Sequence, residues 1–133
     1  MKPNIKKGFS LIELIFVIAI LGVIAAVAIP KLLDSRSNAI TSTIKQDIST
    51  ISTAIQSHYL INGNLNKITD AVNVNSQTWI ISDNKLEFNH ENNTCITMEV
   101  ISSKLNVTIV NTSSDLCQQI YDTGIRDISY NLY

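Results

Sequence analysis

A single carboxylate, Glu13, stands inside an otherwise uncharged run of 21 residues, 9 to 29. An ionisable group among side chains that greasy marks a functional position whose partner has to be found. Ahead of the run come Lys2, Lys6, Lys7 and then Gly8, directly before Phe9. A cut between Gly8 and Phe9 would create an α-amino group on Phe9, four residues before Glu13. Within one helix those two groups lie about a turn apart. Between two staggered helices, the amine of one chain can meet the carboxylate of another. Such a pair works as a register pin more than as a source of stability, because a misplaced copy leaves two unpaired charges in a low-dielectric setting.

The remaining residues with chemical potential are sparse. Cys95 and Cys117 allow one intramolecular pairing. In an oxidising compartment that pairing closes a loop of about 22 residues and stabilises by roughly 3 kcal/mol on the chain-entropy account; two buried free thiols are the alternative. His58 falls beside Ile55 and Tyr59 as a surface or boundary residue, and His90 with the cysteines does not match zinc-site spacing. Asp122-Thr123-Gly124 with Asp127 supplies oxygen atoms and a turn glycine, a loose calcium pattern whose alternative is a capped helix end. Asn92-Asn93-Thr94, Asn106-Val107-Thr108 and Asn111-Thr112-Ser113 are acceptor triplets by pattern, for which chance suffices in so Asn-rich a chain. No glycine-rich phosphate loop, nucleophile elbow or metalloprotease pair occurs. No cofactor, no metal and no enzymatic activity are expected.

These residues must be positioned by a helix. Residues 9 to 29 make about 31 Å of helix at ~1.5 Å per residue, enough for a hydrocarbon core of about 30 Å. Fourteen of them are Leu, Ile, Val or Phe, worth roughly 4–8 kcal/mol toward insertion against about 2.5–3.5 for one charged group. The run inserts despite Glu13. The leading lysines keep the N-terminus in the cytoplasm and send everything after Pro30 outward. Three readings compete: a secretory signal cut near Ala26-Val27-Ala28, a plain single-span anchor, and a prepilin leader with its helix. Glu13 serves neither of the first two, and the run is long for a signal.

Lys7-Gly8-Phe9-Ser10-Leu11-Ile12-Glu13-Leu14 resembles the type IV prepilin processing motif, shared by type IV pilins and type II secretion pseudopilins. The resemblance implies cleavage after Gly8 by a membrane aspartyl prepilin peptidase and N-methylation of Phe9, which keeps the amine charged. It implies that Glu13 guides each subunit into a growing filament. Gly22 and Pro30 fall where many members have glycine and proline. Proline removes its own N–H and crowds the carbonyl of Ala26, and glycine lowers helix propensity by about 1 kcal/mol. Two readings of the pair stay open, ordinary span composition and a compliant segment. The specific match runs from about residue 6 to residue 33.

Beyond Pro30 the helical pattern turns amphipathic, with Leu33, Ile40, Ile44, Ile48, Ile51 and Ile55 on one face and a stop near Asn62-Gly63-Asn64. A continuous helix of that extent, about 80 Å, is too long for so small a domain to cover. Residues 65 to 78 read as a loop with one helical turn. Trp79-Ile80-Ile81, Leu86-Glu87-Phe88, residues 94 to 101 and residues 105 to 110 read as strands, with turns at Asp83-Asn84-Lys85 and Ser102-Ser103-Lys104. In the third strand Cys95, Thr97 and Glu99 alternate with Ile96, Met98 and Val100; in the fourth Leu105, Val107 and Ile109 alternate with Asn106, Thr108 and Val110. Residues 114 to 122 form a short helix stopped by Gly124, and residues 125 to 133 an edge strand.

The expected fold is α+β: a long N-terminal helix, membrane-spanning in its first half and amphipathic in its second, packed on a small antiparallel sheet in pilin-like fashion. The expected division is a leader at 1–8, an assembly half of the helix at 9–30, and a periplasmic domain at 31–133 with helix to about 62 and sheet and C-terminal region over 63–133. Of 133 residues 16% are charged, with Lys+Arg 10 against Asp+Glu 11. Losing Lys2, Lys6 and Lys7 leaves seven basic and eleven acidic side chains, a balance of −4 that argues against direct nucleic-acid binding. The expectation is a bacterial inner-membrane, single-pass subunit that polymerises into a periplasmic pseudopilus for type II secretion or related DNA uptake. Its partners would be other copies and other pilin-like subunits, prepilin peptidase, an inner-membrane assembly platform and the lipid bilayer. A surface pilus subunit is the alternative, and an anchored periplasmic binding or enzyme domain is the alternative of a different class.

Overall fold

The computed structural model describes residues 8–110 and 114–133; the leader lysines and the triplet Asn111-Thr112-Ser113 lie outside them. The chain divides into two compact units, Met1–Ser37 and Asn38–Tyr133. Helix α1 (Leu11–Asn62, 52 residues) contributes to both. In the first unit its side chains are exposed from Leu11 to Arg36. An α-helix satisfies its backbone polar groups within itself, so an apolar segment with no covering layer of its own keeps this form. Gly22 and Pro30 lie inside α1, which runs through both as helix.

In the second unit α1 turns one apolar stripe inward. Ile44, Ile48, Ile51 and Ile55 are buried and Ile40 is partly so. Leu33, expected to begin this stripe, is 61% exposed; it lies in the first unit, ahead of the packed segment. Thr41 and Ser52 join the buried face. Exposed Ser42, Thr43 and Thr53 donate instead to the carbonyl four residues back, at 2.9, 3.0 and 2.9 Å. The helix stops where expected. Gly63 takes φ +72°, which only glycine adopts readily, and its N–H donates to the Tyr59 carbonyl at 2.8 Å.

After one short turn, α2 (Ile68–Ala71), come four strands: β1 (Ile80–Ile81), β2 (Lys85–His90), β3 (Asn93–Ile101) and β4 (Lys104–Ile109). Helix α3 (Asp115–Asp122) and β5 (Ile128–Asn131) complete the chain. The sheet is an antiparallel meander in the order β1-β2-β3-β4-β5. Two-residue loops join β2 to β3 and β3 to β4. Glu91, Asn92, Ser102 and Ser103 all have positive φ, the mirror-image turn whose twist suits adjoining strands.

One face of the meander carries Leu86, Phe88, Ile96, Met98, Leu105, Val107 and Ile109, all buried in the core with the α1 isoleucines. The other face is polar, with Lys85 paired to Glu99, Glu87 to Thr97 and Thr97 to Thr108 in the register. Cys95 departs from the expected alternation. Phe88 pairs with Ile96 and Asn89 with Thr94, so Cys95 is the extra residue of a bulge. The bulge breaks the two-residue period, and Cys95 and Ile96 are both 0% exposed.

Two polar contacts pin α1 to the loops and sheet. Trp79 Nε1 donates to Asp47 Oδ2 at 2.9 Å, and Tyr59 Oη lies 2.6 Å from Ser103 Oγ. Helix α3 starts at its N-cap Ser114, buries Leu116, Cys117 and Ile120, and ends ahead of Gly124 at φ +90°. Strand β5 covers β4 only between Lys104 and Val107. Beyond it Asp127 Oδ1 accepts the Ile109 N–H at 2.8 Å, replacing the missing strand. A disulfide joins Cys95 on β3 to Cys117 on α3 across 22 residues, with Cα atoms 5.1 Å apart.

Two stability measurements check this packing. In denaturant titrations, Met98→Ala removes a fully buried side chain and costs about 2–5 kcal/mol, whereas Thr97→Ala on the polar face stays within about 0.5 kcal/mol. Reducing Cys95–Cys117 before the same titration lowers stability by about 2–5 kcal/mol. An unchanged midpoint after reduction would show that the bridge constrains nothing.

Candidate functional site

The residues that the sequence singles out for processing and assembly, Gly8, Phe9 and Glu13, sit at the start of α1. Gly8, Phe9 and Ser10 precede the helix, and Leu14 N donates to Ser10 O at 3.1 Å. Glu13 lies in the first turn, where a negative charge complements the partial positive end of the helix dipole. That contribution is modest and leaves the carboxylate available to a stronger partner. Phe9 is 75% exposed, Leu11 76% and Ile12 75%, so the carboxylate stands on a surface that is apolar and unburied. The most apolar stretch of α1 passes a membrane-span test by length and composition, with 0% of it buried.

Gly22 and Pro30 lie further along this surface. A Cβ built on Gly22 meets nothing within 4 Å, so no crowding within this chain calls for glycine there. Pro30 has no N–H and leaves the Ala26 carbonyl without its usual donor inside the helix.

The second constellation surrounds the disulfide. Cys95 and Cys117 are both 0% exposed. Ser114 Oγ accepts the Cys117 N–H at 3.3 Å, as a helix N-cap does, and donates to Cys117 Sγ at 3.2 Å. His90 Nδ1 lies 3.2 Å from the same Ser114 oxygen. The sequence pointed to the cysteines but not to Ser114 or His90 as their neighbours, because β2 and the N-cap of α3 meet only in the fold.

The other candidates are occupied by structure. Asp122 Oδ1 accepts from Gln118 Nε2 at 2.9 Å, and Asp127 serves the Ile109 amide, so these carboxylates finish a helix and a strand. No group of three or more His, Cys, Asp or Glu able to hold a metal occurs among the described residues. His58 is half-buried, and its Nδ1 has no hydrogen-bond partner. A hollow of about 380 Å³ on the polar sheet face is lined by Glu99, Asn106, Thr108, Asp127 and Ser129. There Ser129 Oγ donates to Asn106 Oδ1 at 2.7 Å and Asp127 accepts the Ile109 N–H, which leaves little to converge on a substrate.

Known proteins resemble the chain in part. The family described as the prokaryotic N-terminal methylation motif matches residues 3–29. "Fimbrial protein Q" of Moraxella bovis is 39% identical over 70 residues, covering 53% of this chain and 44% of that protein. "Type IV major alpha-pilin" of the same organism is 42% identical over 52 residues, covering 39% and 33%. "Type IV major fimbrial protein FimA" of Dichelobacter nodosus is 38% identical over 53 residues, covering 40% and 34%. The chain thus spans less than half the length of these relatives. No solved structure matches. The relatives are named as pilins and fimbrial proteins, structural subunits rather than enzymes, and the non-enzymatic reading of the chain agrees with them. The chain thus carries the N-terminal methylation motif at residues 3–29, is similar over part of its length to proteins named as type IV pilins and fimbrial proteins, and has the long apolar helix ahead of a small antiparallel sheet that a pilin-like arrangement calls for.

Proposed function

We propose that the chain is a structural subunit of a type IV pilus-like filament, cleaved after Gly8, methylated on the Phe9 amine, and assembled through its N-terminal helix. The observation that carries this reading is the bare apolar surface of residues 11–29 with Glu13 as its lone acid. Leu11, Ile12, Phe16, Val23 and Val27 are each more than 65% exposed. Burying such a surface is worth ~25 cal/mol per Å² of apolar area, so it is covered by lipid before assembly and by other helices after it. The charged Phe9 amine of a neighbour is the partner that neutralises Glu13 in the filament. Gly22 and Pro30 supply compliance to the same helices.

The inserted subunit has its N-terminus in the cytoplasm and residues 31–133 in the periplasm of a bacterial inner membrane. A prepilin peptidase and a membrane assembly platform are its processing partners, and the oxidising side of the membrane accounts for Cys95–Cys117. The names of the relatives favour a surface pilus. The modest outer unit of one small sheet favours a periplasmic pseudopilus of type II secretion or DNA uptake.

Intact mass and N-terminal sequencing of protein from membranes test the processing. A start at methylated Phe9 is expected; a start at Met1 in assembled filaments sinks the proposal. Glu13→Val is expected to insert normally yet to enter filaments at least about tenfold less often, read by cell fractionation against filament yield. The tenfold figure corresponds to about 1.4 kcal/mol of lost pairing, well within the cost of stranding a charge.

A further inference from the structure

The two sulfurs of the disulfide are not equivalent. Cys117 is the third residue of α3, and its sulfur accepts the Ser114 hydroxyl at 3.2 Å. Ser114 has one proton to give. Its oxygen accepts the Cys117 N–H and lies 3.2 Å from His90 Nδ1. With Nδ1–H directed at Ser114 Oγ, both oxygen lone pairs are used and the hydroxyl proton points at sulfur. Cys95 sits on the β3 bulge, its carbonyl bonded to the Val110 N–H at 2.8 Å. Among the described residues, only the Cys117 sulfur of the pair accepts a hydrogen bond from a side-chain hydroxyl.

We propose that Cys95–Cys117 is a polarised thiol-exchange site: an incoming thiolate bonds to Cys95, and Cys117 is released as the thiolate held by Ser114. In this step the thiolate sulfur attacks Cys95 Sγ, the Cys95–Cys117 bond breaks, and its electron pair leaves on Cys117 Sγ. The products are a mixed disulfide on Cys95 and a Cys117 thiolate. The hydroxyl of Ser114 and the N–H groups of the first turn of α3 stabilise the charge that develops on the leaving sulfur, and a better-stabilised leaving thiolate departs faster. The reverse step closes the bond, with Cys117 attacking a mixed disulfide already carried on Cys95. The co-reactant is a thiol, small or borne by a thiol–disulfide oxidoreductase.

Both sulfurs are 0% exposed, so exchange follows a local displacement of α3 from the sheet. The polarity survives that motion. Ser114 and Cys117 belong to one helical turn and move together, whereas Cys95 stays on β3. His90, on β2, is a positioning residue that fixes which way the Ser114 proton points while α3 is docked.

The test uses the full oxidised chain in detergent, given a brief pulse of 2-mercaptoethanol, quenched in acid and mapped by peptide mass spectrometry. The expected result is a mercaptoethanol adduct on Cys95 in roughly tenfold or greater excess over Cys117, the scale of one hydrogen bond to a charged group. Ser114→Asp keeps a side-chain acceptor for the helix cap but has no proton for sulfur, and it should bring the two adducts to near parity. Ser114→Ala should do the same where the helix tolerates it. His90→Phe should lower the excess by a smaller factor, about threefold. Equal adducts in the natural sequence, an excess on Cys117, or an undiminished Cys95 excess in Ser114→Asp would each overturn the assignment.

Discussion

The structure depends on one unmet requirement: the first half of α1 presents an apolar surface that this chain does not cover. Side chains from Leu11 to Arg36 are exposed, and the one acid among the first 21 of the apolar run is Glu13. The hydrophobic effect is non-directional and sets no register along such a surface. A carboxylate does, because the penalty for an unpaired charge in apolar surroundings rises steeply with misplacement. On the filament reading proposed above, greasy length would supply the drive to associate and one charge the alignment.

The same division shapes the second unit. Of the long helix only the turns from Ile40 to Tyr59 contribute to this core. A unit this small buries a limited fraction of its surface, and its connections compensate. The indole of Trp79 is tied to Asp47, Tyr59 meets Ser103, and Asp127 stands in for a strand beside Ile109. The disulfide ties α3 to the bulge in β3. Each of these links joins segments far apart in the chain. They hold a one-sheet layer against a single helix, where a larger protein would add another layer.

Much of this was legible in the sequence, and the misses have physical causes. The four-three-four spacing of Ile44, Ile48, Ile51 and Ile55 and the Asn62-Gly63 stop pointed to the packed helix, and period-two spacing of Leu105, Val107 and Ile109 to β4. Leu33 kept the spacing but lies ahead of the unit that would bury it; periodicity reports which face a residue is on, not whether anything stands opposite. Cys95 broke the strand pattern because a bulge is decided by pairing between strands, which no single strand displays. Ser114 and His90 were invisible as cysteine neighbours for a similar reason. They are 24 residues apart and meet only when α3 folds back on the sheet.

The extent of the family match follows from the same physics. Residues 3–29 match the methylation motif, whereas no solved structure matches the chain. On the proposed reading, both the type and the position of residues along the N-terminal run would be constrained: a small residue at the cut, a charge at a fixed offset, and enough apolar length to span lipid. Moving Glu13 by a single residue rotates it about 100° around the helix and away from any partner set by register. The sheet obeys a weaker rule. Its strands must alternate and present one apolar face, and many combinations of Leu, Val, Ile, Met and Phe satisfy that equally. On that reading the segment that must fit other molecules is the recognisable one, while the sheet is held to a looser rule.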